Sequence, residues 1–258
     1  MKNLYEEMSR SSFDPTYFEL NFSQGRDADI PSVPVRGETV SGSLDGKVDR
    51  VDLWKNGDRT YYRVVDYKTG HTVFDYTNVF HGLGMQMLIY LFALKDYGEA
   101  LEQENLSPAG VLYFPAKRGK ISARDRHDTE KIKTERRKEQ QRTGLILNDR
   151  AVLQAMDPGE DFEFLPCKMK KGEITGDITT GDELRLLQEH ITLRVSQLAD
   201  SIYSGKLEPN PHFVDDKHNG CIWCPYKPVC GENGKKRILE KMNAATFWER
   251  IREEVGHE

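Results

Sequence analysis

The spacing of apolar and polar positions changes along the chain. From Gly42 to Tyr67 the chain is rich in β-branched and aromatic residues and is broken once by a turn, which predicts two strands. Their segments, Lys47–Trp54 and Arg59–Tyr67, flank Lys55-Asn56-Gly57-Asp58, where Asn-Gly supplies the positive φ of a tight hairpin. From about His81 to Tyr97 apolar residues fill most sides of a predicted helix (Leu83, Met87, Leu88, Leu91, Leu94), so this helix is expected to be buried. Ala109–Phe114, bounded by Pro108 and Pro115, predicts a buried strand. Strand, helix and strand in this order predict an α/β core with a right-handed crossover.

Further on, Phe162–Lys168 reads as another strand. A long helix follows. Thr180 and Glu183 have capping-box spacing, Leu184, Leu187, Ile191, Val195, Leu198 and Ile202 recur at steps of three or four, and Gly205 is its stop. A charged helix over Lys235–Val255 closes the chain. Residues 1–40 show no strong period and read as an irregular lead-in continuing an absent upstream region. Residues 41–205 form the main α/β body, and 206–258 a cysteine-containing segment with the last helix.

Composition narrows the class. The 258 residues are 37% hydrophobic and 31% charged, with a formal charge of −5. This excludes a collagenous, mucin-like or wholly disordered chain. The longest apolar run, Met87–Leu94, is far shorter than the ~20 residues a bilayer span needs. The opening MKNLYEEMSR has no apolar signal region, so a cytoplasmic location is expected. Mild acidity argues against a purely electrostatic nucleic-acid binder, though a local basic strip suffices for phosphate contact.

The most informative stretch is Val64-Val65-Asp66-Tyr67-Lys68-Thr69-Gly70. Period two puts Asp66 and Lys68 on one face of a strand and Tyr67 on the other. Pairing of the hairpin brings Asp49, from Gly46-Lys47-Val48-Asp49-Arg50, near Asp66. Two carboxylates can hold a hard divalent cation such as Mg²⁺ (or Mn²⁺), which polarises a phosphoryl oxygen and activates a water. A nearby Lys⁺ can orient that water or stabilise developing charge. The plain alternative is a solvated salt bridge worth ~0–1 kcal/mol. Gln86 and Tyr90, four residues apart, share one helix face. Either they bond to nearby backbone or they face the site and touch substrate.

Cys221, Cys224 and Cys230 form C-x2-C-x5-C, a spacing that favours a metal or cluster over disulfides in a reducing compartment. Zinc would want a fourth ligand such as His212 or His218. A redox Cys-x-x-Cys lacks thioredoxin-like surroundings. Cys167 reads as a buried thiol on an interior strand.

GKVDRVD, VVDYKTG and HGLGMQMLIY, in that order, resemble the RecB-type branch of the PD-(D/E)xK nucleases, and within it the AddB-type nuclease domains. The likeness runs from about residue 18 to 231. It implies a restriction-endonuclease-like core with a mixed central sheet flanked by helices. It implies Asp49 and Asp66 as metal ligands with the Tyr67 carbonyl as a third, Lys68 as the catalytic lysine, and Gln86 and Tyr90 beside the DNA. It also implies that Cys221, Cys224 and Cys230 join one upstream cysteine around a [4Fe–4S] cluster. No cysteine precedes Cys167 and no histidine precedes His71, so the cluster and the family's upstream histidine are both incomplete here. A C-terminal piece of a longer subunit, its ATP-binding helicase region lying upstream, accounts for both absences. The cluster is then expected in the full-length protein only.

Lys117–Arg142 holds 11 Lys/Arg against 5 Asp/Glu. Arg118, Lys120, Arg124, Arg126, Lys131, Lys133, Arg136, Arg137, Lys138 and Arg142 are either DNA-phosphate contacts or a solvated loop. The expectation is therefore a Mg²⁺-dependent DNA exonuclease domain that processes double-strand breaks for homologous recombination, in heterodimer with an AddA-type subunit. The alternatives are a catalytically silent DNA-end-binding scaffold and a stand-alone nuclease of the CRISPR-associated iron–sulfur type.

Overall fold

The computed structural model describes residues 2–70, 72–116, 129–159, 161–206, 208–230 and 236–256. The chain divides into two compact units. One comprises residues 1–33, 43–74 and 86–188, the other residues 34–42, 75–85 and 189–258.

The first unit is built on a six-stranded sheet whose strands lie side by side in chain order. They are β1 (Asp14–Phe22), β2 (Gly46–Asn56), β3 (Arg59–Lys68), β4 (Leu106–Pro115), β5 (Thr143–Leu147) and β6 (Ile178–Thr179). β1–β2, β2–β3 and β4–β5 pair antiparallel, whereas β3–β4 and β5–β6 pair parallel, so the sheet is mixed as expected. Helix α1 (Lys2–Arg10) precedes β1, and α2 (Tyr76–Phe80) and α3 (Gln86–Asp96) lie between β3 and β4. α4 (Thr129–Gln140) and α5 (Arg150–Met156) flank β5, and α6 (Gly181–Tyr203) follows β6.

The predicted hairpin joins β2 to β3, with Gly57 at φ +60°. Alternation along β3 then sorts two faces. The Tyr62 hydroxyl donates to the Leu91 carbonyl of α3 at 2.5 Å, so α3 covers the face that carries Tyr62 and Val64. Asp66 and Lys68 continue that face. Tyr61 and Val65 point the other way, into a core with Phe13, Leu112, Ile146, Leu153 and Met156.

That second face also holds an ionic cluster. Arg50, Asp52, Arg63, Arg142 and Glu7 are each at most 2% exposed. Asp52 pairs with Arg50 and Arg63, both through Nε at 2.8 Å. Glu7 of α1 reaches Arg63 at 3.2 Å and also grips Arg142. Burial alone would raise the Glu7 pKa, but Arg142, Arg63 and Arg50 outweigh it and hold the group below its ordinary value.

Several expectations are corrected. Residues 1–40 are not irregular, because they supply α1 and β1. β1 is a sheet-edge strand whose pairing shifts register between Pro15 and Tyr17 and whose Glu19 has φ +52°, and both irregularities blur a period of two. The helix expected from His81 starts only at Gln86. Cys167 is buried as expected, but in a small hairpin (Cys167–Lys170 with Glu173–Gly176) outside the main sheet. The capping box is present, with Thr180 N–H donating to Glu183 Oε2 at 3.0 Å and Glu183 N–H to Thr180 Oγ1 at 3.1 Å. Leu184, Leu187 and Ile191 are buried, while Leu198 and Ile202 are exposed, so the apolar stripe outruns its core.

The second unit contains α2, the later part of α6, β7 (His212–Asp215), β8 (Arg237–Ile238) and α7 (Ala244–Val255). β7 and β8 pair in parallel. The closing helix begins at Ala244 rather than Lys235 because Asn243 caps it, accepting from Thr246 N–H at 3.0 Å. α7 packs on α2 through Phe247 and Tyr76, whose ring centroids are 5.0 Å apart. Among the described residues, no helix is long and apolar enough to cross a membrane.

Candidate active site

Lys68 Nζ lies 2.7 Å from Asp66 Oδ2, as two residues on one face of β3 must permit. The Asp66 side chain is 13% exposed and that of Lys68 36%, so the ammonium meets solvent over a largely withdrawn carboxylate. Arg50 pairs with Val65, and the same register continued by one residue sets Asp49 opposite Asp66. Asp49 Oδ2 accepts the Tyr67 amide at 2.8 Å. That N–H belongs to the peptide bond between Asp66 and Tyr67, so one acid is laid against the backbone of the other.

Tyr67 turns its side chain to the opposite face. There its hydroxyl accepts from Arg50 at 2.6 Å and its ring lies 5.2 Å from Phe114. Arg50 of the ionic cluster thus holds the Tyr67 side chain from behind, while the bond to Asp49 is made by the main chain. Parallel pairing sets Tyr113 of β4 beside Asp66. Burial, reinforced by the charge of Asp66, pushes the Tyr113 hydroxyl up to about 12, so it stays a protonated donor near neutral pH.

Gln86 and Tyr90 do share a face, with Gln86 Nε2 3.3 Å from Tyr90 Oη. They differ in exposure, Gln86 being exposed and Tyr90 buried. The Tyr90 ring stacks on Phe22 at 5.0 Å. A Cβ on Gly46 would overlap Tyr90 Oη, so the glycine that opens β2 is what lets α3 seat there. Tyr90 therefore braces the strand that carries Asp49, and Gln86 is the member open to solvent.

The two carboxylates at this site suit a hard cation, which takes oxygen ligands, a backbone carbonyl such as that of Tyr67 included. Among the described residues no three His, Cys, Asp or Glu side chains already converge as a metal site. A divalent ion there would need water or substrate oxygens to complete its shell, as Mg²⁺ commonly does.

In the second unit, Cys221, Cys224 and Cys230 are free thiols lining one cavity of about 490 Å³. His212 lines the same cavity, whereas the imidazole of His218 bonds Asp215 at 2.7 Å. In the first unit, burial and then the charge of Asp157 push the Cys167 thiol up to about 12. A thiol so held stays protonated and is a poor cluster ligand. The trio could supply three of the four thiolates that a [4Fe–4S] cluster uses, but among the described residues its side chains do not converge as a metal site, and it does not fit the whole cluster by itself.

In the basic strip, Arg118, Lys120, Arg124 and Arg126 lie outside the described residues, as do the side chains of Lys133, Arg136 and Arg137. Lys131 and Lys138 are exposed, the latter paired with Glu135 at 2.9 Å. Arg142 is corrected: it is 1% exposed and bound to Glu7, so it is structural and not a phosphate contact.

A family profile for the PD-(D/E)XK nuclease superfamily matches residues 2–231. The chain belongs to this superfamily. It is similar to proteins named as the B-type subunit of an ATP-dependent helicase/deoxyribonuclease. The Clostridium perfringens (strain ATCC 13124) protein is 32% identical over 98% of this chain and 23% of its own length. Those of Acetivibrio thermocellus and Moorella thermoacetica are 34% and 33% identical, over 87% and 89% of this chain and 20% of theirs. The chain therefore spans only 20–23% of these curated relatives.

Sequence reasoning missed the partners behind the nuclease motif. Arg50 and Asp52 stand one and three places after Asp49, so period two already consigned them to the other face. Arg63 was a second signal, a charge inside the apolar run Tyr61–Val65. Glu7 and Tyr113 carried none, because only pairing of distant segments brings them in.

Proposed function

We propose that the chain is the nuclease domain of an AddB-type helicase–nuclease subunit, hydrolysing DNA phosphodiesters exonucleolytically with a divalent metal ion. The observation that carries this reading is the clasp of Asp49 on the Asp66–Tyr67 peptide, with the Lys68 ammonium 2.7 Å from Asp66. Asp49, Asp66 and the Tyr67 carbonyl would hold Mg²⁺ or Mn²⁺. The ion supplies Lewis acidity toward a phosphoryl oxygen and lowers the pKa of a bound water. Lys68 places a positive charge where negative charge grows on the phosphoryl group, and orients the attacking water. Tyr113 holds its proton beside Asp66. Gln86 meets the incoming strand, and Tyr90 keeps α3 on β2.

The relatives' names pair a helicase with a deoxyribonuclease, which supports DNA as substrate and a partner subunit; the proposal takes that partner to be AddA-type and the complex to process double-strand breaks. The test is cleavage of end-labelled DNA by the full subunit with its partner, in Mg²⁺ and in EDTA. Asp66→Ala and Lys68→Ala should each lower the rate at least a hundredfold while DNA binding persists. Unchanged cleavage in both variants refutes the reading, and absence of cleavage in the wild-type complex supports the silent end-binding scaffold.

For the cysteine trio we propose a [4Fe–4S] cluster completed by a thiolate from outside these residues. A Cys₃His zinc site is the second reading, favoured by His212 lining the same cavity. Metal analysis with the visible spectrum separates them, since only the cluster brings iron and absorbance near 400 nm. Stoichiometric four-iron loading of this chain alone would overturn the missing-thiolate proposal.

A further inference from the structure

The second unit holds a cavity of about 150 Å³ lined by His81, Gly82, Arg194, Gln197, Leu198 and Arg237. Three elements build it. The turn after α2 gives His81 and Gly82, one face of α6 gives Arg194, Gln197 and Leu198, and β8 gives Arg237. The α6 residues are spaced i, i+3, i+4 and so project together. Gly82, at φ +82°, leaves its part of the wall without a side chain.

The lining contains two guanidiniums and no carboxylate. Arg194 is held in place from behind. Its Nε donates to the Phe80 carbonyl at 3.2 Å, and its two terminal nitrogens reach Gln197 Oε1 at 3.0 Å and Glu254 Oε1 at 2.6 Å. These bonds occupy three of the five N–H donors a guanidinium carries. Arg237 is anchored by its backbone amide, which donates to the Pro211 carbonyl at 2.9 Å. Its exposed side chain has no ion-pair partner among the described residues. His81 Nε2 is buried and lacks a hydrogen-bond partner among the described residues. Burial lowers the imidazole pKa; a backbone bond at Glu240 opposes that, and the charges of Arg237 and Arg194 lower it further. Both arginines are thus felt at the ring.

Unused guanidinium donors of Arg194 and Arg237, around one small cavity whose lining holds no carboxylate, are arranged for a tetrahedral oxyanion, with the His81 ring beside them as a reporter. We propose that this cavity is a phosphate site for one phosphodiester of a bound nucleic-acid strand, built from none of the residues of the carboxylate pair. The phosphate would take the free guanidinium donors of Arg194 and Arg237. This contact rests on the nucleic-acid reading above but not on cleavage, and it is tested in EDTA.

The first measurement follows the His81 ring resonances of the 258-residue chain by NMR while inorganic phosphate is added, against chloride at equal ionic strength. The expected result is a saturable phosphate-specific shift that R237Q abolishes. The second is the salt dependence of binding to a DNA oligonucleotide. Loss of one phosphate contact should reduce the log–log slope by about 0.7–0.9 in R237Q, with R237K restoring it. A shift no larger than that with chloride would overturn the site. A phosphate shift with an unchanged slope would overturn the DNA assignment and leave a free-phosphate site. DNA binding with the expected slope change but no cleavage in Mg²⁺ would keep this proposal while refuting the nuclease reading.

Discussion

Replacing Asp52 by asparagine gives the sharpest test of how the sheet is divided. Asp52 belongs to the same GKVDRVD segment as Asp49, three residues on, so period two sets it on the opposite face of the strand. In the structure Asp52 is fully buried on the other face, between the Nε atoms of Arg50 and Arg63 at 2.8 Å each. Three guanidiniums there face two carboxylates, and Asp52→Asn leaves three against Glu7 alone. Breaking a buried pair by removing one partner costs about 3–5 kcal/mol. Asp52 has two partners, but Glu7 still serves Arg63, so the loss should stay within that range rather than double it. Against a total stability of ~5–15 kcal/mol this is severe. The assay is urea unfolding of the 258-residue chain followed by circular dichroism. With a slope of ~1–3 kcal/mol/M, the midpoint should fall by at least ~1 M. The same variant, folded at low temperature, should bind Mn²⁺ as the wild type does, whereas Asp49→Asn should lose that binding at nearly unchanged stability. A midpoint within ~0.2 M of wild type, or Mn²⁺ affinity lost in Asp52→Asn at full folding, would refute the assignment of the two acids to opposite faces.

Three further outcomes are expected. Gly46→Ala should cost about 1–3 kcal/mol by forcing Tyr90 off β2, and a double-mutant cycle with Tyr90→Ala should recover most of it. Glu7 has a folded pKa below its ordinary 4.5, so its stabilisation is full above that pH and is lost as pH falls through the folded value; acid unfolding monitored by fluorescence should begin below about pH 4.5, and Glu7→Gln should flatten that limb. Cys167, with its thiol pushed up to about 12, should resist a thiol reagent at pH 8 in the native chain while Cys221, Cys224 and Cys230 react, and should join them only in denaturant.

What could be read from sequence followed short-range rules. The Asn-Gly turn, the alternation of Asp66 and Lys68 and the Thr180–Glu183 box each depend on residues within a few places of one another, and each stands in the structure. The failures are long-range. β1 is half-exposed at a sheet edge, so its apolar pattern is thin until β2 lies beside it. Arg142 sits in a run of charge, and charge runs are normally solvated; only Glu7, 135 residues earlier in sequence, makes it a buried residue. Tyr90 looked like half of a polar pair, and its packing on Phe22 and Gly46 comes from strands folded against its helix.

The grip on Asp49 comes from main chain, since the group it receives is the Tyr67 amide. Nineteen of the twenty amino acids would offer that same N–H. Evolution or a protein engineer can therefore exchange the aromatic ring at position 67, recasting the rear of the sheet, without unfastening the acid in front. Proline alone lacks that N–H, so Tyr67→Pro should untether Asp49 while leaving both acids in the chain.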